Sequence, residues 1–312
     1  MSSMHAPLVE SAIPWSFEVY HPRRGDDGVN LVSSHVRKVA EFGRLFGRPP
    51  EFCSVTTRVG SWIPSAEIAE NAQRMPGQGL HAALHVCWGG ESPDGRKAVM
   101  ARVVASGLWG VLALRGDQRQ SPVGGGEADL TGEDAAAGAA SLSGPATVVL
   151  VAAHPGWWPR LSPKGREHTP ADEAAWVVRK VRAAGDRAVR VVTQVCFDTA
   201  RLVEFIRELR SLGCHAPVHA GVMVAKDAST LRRAAAMAGV EVEAGLEAQL
   251  CEKMDGARVA GLLAAELWHL AEASGVPLAG IHFFGMNETE LLCESVKRMD
   301  DAWQGVRSQR YP

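Results

Sequence analysis

Short apolar runs rich in β-formers alternate with longer amphipathic stretches along almost the whole chain, and this alternation leaves few folds open. The strand-like runs are Trp15–Tyr20, Phe52–Thr57, Leu80–Cys87, Gly110–Gly116, Thr147–His154, Arg190–Asp198, Pro217–Val224 and Leu278–Met286. Between them, helical periodicity covers Leu31–Phe46, Ser65–Arg74, Gly95–Ser106, Ala171–Ala184, Thr199–Leu212, Asp227–Ala238 and Ala257–Ala273. Ser65 with Glu67, and Asp198-Thr199 before Val203, read as helix starts. Gly107, Gly185, Gly213, Gly239 and Gly275 read as helix stops. Strands that alternate with helices build parallel sheets covered by helices, and eight of them favour a closed (β/α)8 TIM barrel over an open sheet. Val240–Gly245 competes for the eighth strand and ranks below Leu278–Met286. The 312 residues suit one such barrel with its loops, a single catalytic domain over 1–312.

Two segments break the rhythm. Residues 118–144 are rich in Gly, Ala, Asp and Ser without usable periodicity, so they read as a mobile loop over the barrel mouth. The polar tail, 300–312, reads as surface-bound or frayed. The net charge of −2 comes from mixed acidic and basic residues, so no basic face asks for nucleic acid or an anionic membrane. The longest apolar run, Ala146–Ala153, is far short of a membrane span. Residues 1–14 have neither the basic start nor the apolar core of a secretory signal. Six scattered cysteines without a C-x-x-C pair read as reduced thiols. Together these point to a cytoplasmic globular protein.

Active sites of such barrels form at the C-terminal strand ends. The polar residues there are Glu18, Thr56, His85, Arg115, Gly116 with Asp117, His154, Gln194, Asp198, His282 and Asn287. Glu18 stands out, because a carboxylate inside an apolar strand is costly unless paired or protonated. It reads either as a general acid with a raised pKa or as the partner of a structural cation such as Arg115. Asp117, beside a glycine, reads as a turn cap or a ligand contact. His85 and His154 read as hydrogen-bonded mouth histidines or as ligand contacts. Trp157 and Trp158 could stack on a flat ligand or pack loops over the rim. Gly77–Ala82 imitates a dinucleotide fingerprint but precedes a strand, so it reads as a loop.

These residues fall in an order that resembles methylenetetrahydrofolate reductase, in the form made of the catalytic barrel alone. The resemblance runs through Ser16-Phe17-Glu18 with His21-Pro22, Ser54-Val55-Thr56, Leu84-His85-Val86-Cys87 and Ala113-Leu114-Arg115-Gly116-Asp117. It continues through Thr193-Gln194 with Phe197-Asp198, Ala220-Gly221-Val222-Met223 with Leu231-Arg232-Arg233, and Ile281-His282-Phe283-Phe284 with Asn287. It therefore covers residues 15 to 297 in colinear order, and the fourth-strand motif is its most specific element.

The resemblance implies an FAD enzyme that reduces 5,10-methylenetetrahydrofolate to 5-methyltetrahydrofolate with NADH or NADPH, supplying methyl groups for methionine synthesis. It implies that Glu18 protonates the folate and that Asp117 contacts the pterin and tunes the flavin. Gln194 would touch folate or nicotinamide. Thr56, His85, Arg115, Gly116, Ala153 and His154 would line the flavin, and Arg179 and Lys180 would reach its diphosphate and ribose. No metal is implied. The chain departs from the family pattern at Glu288, where the family has arginine, at His154, where it has tyrosine, and at Trp176, where asparagine is usual. Three other readings stay open: a folate enzyme of this fold working without flavin, a metal-dependent barrel hydrolase using His85, His154 and Asp117, and an inactive barrel that regulates a partner. Self-association or a partner subunit is also left open.

Overall fold

The first strand, β1 (Trp15–Val19), pairs in parallel with the last, β8 (Gly280–Phe284), and that pairing closes the sheet. The computed structural model describes residues 12–21, 27–57, 62–77, 79–116, 131–144, 146–155, 169–240, 242 and 255–310. Between the closing strands lie β2 (Phe52–Val55), β3 (His81–Cys87), β4 (Gly110–Leu114), β5 (Val148–Ala153), β6 (Val189–Val195) and β7 (Val218–Met223). The eight pair in chain order as a closed (β/α)8 barrel. The eighth strand is thus the Leu278–Met286 run, while Val240 and Val242 lie outside any strand.

The helices among the described residues are α1 (Asp27–Leu45), α2 (Ile63–Gln73), α3 (Pro93–Ala105), α4 (Gly132–Leu142), α5 (Pro170–Ala183), α6 (Thr199–Ser211), α7 (Ala228–Ala238), α8 (Gly256–Ala273) and α9 (Thr289–Arg310). The helix-facing sides of the strands carry Phe17, Val19, Cys53, Val55, Leu84, Val111, Val149, Val151, Val191, Val222, Ile281 and Phe283, all buried. Each large apolar side chain removed from water there contributes about 1.5–3 kcal/mol. The alternate positions point into the barrel, where Phe52, Ala83, Leu112, Leu150 and Val192 form a second, smaller apolar cluster. Strand register puts Ser16 beside His282, Glu18 beside Ser54 and Phe284, and His85 beside Leu112.

Two expectations are corrected. The 118–144 stretch is not loop throughout, because α4 occupies its second half. Thr131 and Asp134 form a reciprocal capping box, and Ala135, Ala136, Ala139 and Ala140 are buried. Such a small-residue face needs little periodicity in hydropathy to pack closely, which is why the pattern hid it. The 300–312 tail also continues α9 through Arg310. Asp300 there accepts from Arg48 at 3.2 Å and from Gln304 at 2.7 Å, and Trp303 is buried. Among smaller differences, α2 starts at Ile63 with proline in its first turn, so Ser65 is a buried residue and not a cap. Asp198 does cap α6, accepting from Arg201 N at 3.0 Å. No helix among the described residues is long and apolar enough to cross a membrane.

One irregularity touches the barrel mouth. Between β6 and β7 the register shifts between Val192 and Val195. A Cβ on Gly221 would lie 2.5 Å from Thr193 O, 2.6 Å from Phe284 Cε2 and 2.9 Å from Gln194 O, so the bulge depends on a glycine opposite it. Gly221→Ala is expected to cost about 1–3 kcal/mol, read as a lowered denaturation midpoint. Gly305→Ala, in α9 where nothing lies within 4 Å of the added methyl, should be neutral or stabilising. Equal effects at the two positions would contradict the packing argument.

Candidate active site

Glu18 lies near the C-terminal end of β1 and faces the barrel interior, with a side chain only 13% exposed. Across β2, the Nε2 of His85 stands 3.9 Å from Glu18 Oε2. Burial, with no countercharge beside them among the described residues, pushes the Glu18 carboxyl up to about 8 and the His85 imidazole down to about 3. At neutral pH the acid is therefore protonated and the histidine neutral, and their approach is not an ion pair. Arg115 forms no salt bridge with Glu18 among the described residues, so the general-acid alternative is the one that this geometry supports. His85 Nε2 is buried with no hydrogen-bond partner among the described residues. An unpaired buried nitrogen is costly, and a ligand at the mouth would relieve that cost. Tyr20 follows Glu18, and its phenol is pushed up by burial and by Glu18.

Beneath this pair the barrel interior is unusually polar. His282 Nδ1 lies 2.8 Å from Ser16 Oγ, and its Nε2 lies 3.3 Å from Ser54 Oγ. Burial, together with His219 and His85, holds His282 well below the ordinary histidine range. Deeper still, Arg190 donates to His219 Nε2 at 3.1 Å and to Glu51 at 3.2 Å. That donation assigns the His219 proton to Nδ1, since a guanidinium has no lone pair to offer. Phe52 stacks on Trp109 and His282 with ring centroids 5.0 and 5.5 Å apart, while Arg190 lies over the Trp109 ring, sealing the lower end. His282 is among the polar strand residues that the sequence singles out, whereas Ser16, Ser54, His219 and Arg190, which surround it, are not singled out there as its setting. Their signal was the period of two within apolar strands.

The other expected residues divide into several groups. Arg115 and Gly116 cap β4, with Gly116 at φ 84° and the Arg115 carbonyl accepting from Gly89 N at 2.7 Å. Thr56 Oγ1 accepts from His21 N at 2.8 Å, tying the ends of β1 and β2 together. Gln194 receives Val195 N on its own side-chain oxygen at 2.9 Å. Ala153 turns its methyl into the helix-facing core, so only its backbone can line the mouth. Asn287 clamps the Tyr20 backbone at 2.9 and 3.1 Å, a structural task. Asp117, Trp157 and Trp158 lie outside the described residues. No group of three or more His, Cys, Asp or Glu side chains could hold a metal among the described residues.

The residues given by resemblance to an FAD diphosphate do not fit that task. Arg179 Nε donates to Glu133 Oε1 at 2.6 Å, and Lys180 Nζ donates to Ala152 O at 2.7 Å. Glu173, buried, accepts from His154 N at 2.8 Å. The Lys180 ammonium is lowered mainly by burial, with Glu173 and Glu133 opposing. Two cations thus stand against two carboxylates, and the backbone at the end of β5 is already satisfied.

A barrel with a neutral, buried carboxylic acid at its mouth is an enzyme-like arrangement, with a proton held ready in dry surroundings. The methylenetetrahydrofolate reductase family model matches residues 4–300, and the chain belongs to that family. It is 25% identical over 248 residues to methylenetetrahydrofolate reductase (NADH) 1 of Arabidopsis thaliana, covering 76% of this chain and 39% of that protein. The Zea mays protein of the same name is 26% identical over 221 residues, 67% of this chain and 35% of that one. The chain therefore spans well under half the length of these relatives. Among solved structures, an uncharacterized protein from Clostridium thermocellum that binds two copies of 5-methyl-5,6,7,8-tetrahydrofolic acid has TM-score 0.63 at 12% identity, covering 94% of this chain and 96% of that one. A Coxiella burnetii dihydropteroate synthase in complex with pteroic acid has TM-score 0.52 at 12% identity, covering 97% and 94%. These two likenesses are of fold.

The buried acid makes a thermodynamic prediction. Because the folded pKa of Glu18 is raised from 4.5 to about 8, the folded state holds a proton that the unfolded chain releases. Stability should fall with rising pH across that window, by at most about 1.4 kcal/mol per pH unit, and level off above it. Glu18→Gln removes the titration, so the variant should gain on the parent between pH 4.5 and about 8 in denaturant unfolding. Parallel pH profiles would mean that Glu18 ionises normally.

Proposed function

We infer that the chain reduces 5,10-methylenetetrahydrofolate to 5-methyltetrahydrofolate, with NADH or NADPH as the source of hydride. The observation that carries this reading is Glu18, a buried acid without a countercharge among the described residues, facing His85 at the mouth of a barrel of this family. In the substrate, one carbon bridges N5 and N10. Opening that ring requires a proton on N10 as its bond to carbon breaks, which leaves an iminium at N5. A neutral carboxylic acid can supply that proton near neutral pH, where an ordinary glutamate is already ionised. His85, neutral and with its Nε2 unpaired among the described residues, orients the ligand without competing for the proton. Gln194 offers its NH2 end to the folate or the nicotinamide, and Arg115 with Gly116 forms the β4 wall. Asp117 is assigned to the pterin from the resemblance.

FAD would supply a two-electron relay between the substrates if bound. The engagement of Arg179 and Lys180 speaks against the diphosphate anchor that the resemblance gives it. The product is the kind of methyl donor that methionine synthesis consumes. A reducing, cytoplasmic setting is consistent with the free thiols Cys53, Cys214 and Cys293.

The test is anaerobic formation of 5-methyltetrahydrofolate from the methylene substrate with each nicotinamide, with and without added FAD. Turnover is expected, and its rate should decline as pH rises through about 8, where Glu18 loses its proton. Glu18→Gln should lower kcat by roughly 100-fold or more with folate binding retained. Failure under every combination would remove the reductase reading. An active Glu18→Gln enzyme would remove Glu18 as the acid.

A further inference from the structure

We propose that this barrel transfers hydride directly from the nicotinamide to the folate, with both bound together and no flavin between them. The inference rests on the reductase reading above and deepens it by naming the route of the electrons.

It starts from α4. The Thr131–Asp134 capping box fixes the first turn of that helix beside α5. A Cβ on Gly132 would stand 3.1 Å from Lys180 Cε, so this turn rides on the lysine stem. The next residue, Glu133, holds the Arg179 guanidinium at 2.6 Å. An exposed ion pair of this kind contributes little stability by itself. Its importance is positional, because backbone, carboxylate and cations together fill the place that a diphosphate would take. Lys180 is turned inward to Ala152 O, and Glu173 closes the other side by taking His154 N. A diphosphate arriving here would meet two carboxylates and two cations already engaged, with the strand-end backbone groups spoken for. Phosphate sites work the other way, by offering unpaired cations and free N–H groups.

Without a relay, the nicotinamide ring takes the barrel mouth beside His85, with the folate against it and Glu18. The C4–H bond of the dihydronicotinamide breaks, and its electron pair leaves with the hydrogen to form a C–H bond at the iminium carbon. The iminium becomes an N5-methyl amine, and the nicotinamide is oxidised to its pyridinium form. Glu18 supplies one proton to N10 and regains one from water. The sum is NAD(P)H plus a proton plus methylenetetrahydrofolate, giving NAD(P)⁺ and methyltetrahydrofolate.

Reduced flavin carries its hydride on N5, which exchanges with water, whereas direct transfer keeps the hydrogen on carbon throughout. The experiment uses the full chain, freed of any flavin by gel filtration in chaotrope and refolded, or purified colourless. FAD is titrated into it and followed by flavin fluorescence. Turnover is then run anaerobically with nicotinamide deuterated at C4 on either face, and the methyl product is weighed by mass spectrometry. Expected are no saturable FAD binding in the micromolar range and turnover unchanged by FAD. One deuterium should be retained per methyl from one face, and initial-rate plots should intersect, as simultaneous binding requires. Saturable FAD binding with turnover only in its presence, parallel plots, or label lost to water would each overturn the proposal. Absence of turnover with and without FAD would count against the reductase reading instead. In that case the titration still decides, since tight FAD binding overturns the inference and its absence upholds the occupied-anchor argument.

Discussion

A closed sheet of eight strands sends every second side chain into an interior that water scarcely reaches, and one of those side chains is the Glu18 carboxyl. With no cation beside it among the described residues, the carboxyl can exist there at low cost only in its protonated form. Most of the candidate chemistry follows from that constraint. The acid is neutral because it is dry and unpaired, and it is dry because β1 meets β8 and closes the wall around it. His85 is neutral for the same reason, so the two groups approach each other without forming an ion pair.

The same closure explains the polar layers beneath. Interior positions of such barrels are commonly filled by branched apolar side chains. Here His282 between Ser16 and Ser54, and His219 against Arg190 and Glu51, occupy them and satisfy most of one another's hydrogen-bonding groups. Phe52 and Trp109 supply the aromatic surface that closes the bottom. The floor under the acid is rigid and neutral, apart from the Arg190–Glu51 pair at its base, and rigid support is what a single catalytic proton needs to be well placed.

On the rim, the decisive element is a short alanine-rich helix. Its capping box seats α4 beside α5, where Glu133 accepts from Arg179 at 2.6 Å, while Lys180 donates to Ala152 O at 2.7 Å. Arg179 and Lys180 match the residue types that the resemblance gives, and in this structure both are engaged by the protein itself. A motif carried over residue by residue says which side chains are present, and their partners determine what they do.

The sequence by itself determined the strand order, the barrel class, the placement of Glu18, His85, Arg115 and Gly116 near the mouth, and the membership suggested by the colinear motifs. These are legible because the period of two in strands and the repeated βα alternation are local properties of the chain. The α4 helix was not legible, since alanine and glycine give almost no hydropathy contrast, and neither was the docked end of α9, whose Asp300 and Trp303 find partners far away in the chain. Only the tertiary structure decided that Glu18 faces His85 and makes no salt bridge with Arg115 among the described residues, because that depends on what stands beside it across the barrel. It likewise decided that Asn287 clamps Tyr20, that Gln194 spends one end on its own bulge, and that Arg179 is held by Glu133. A side chain's charge state and its freedom to bind are set by neighbours brought together through folding, and no local pattern records them.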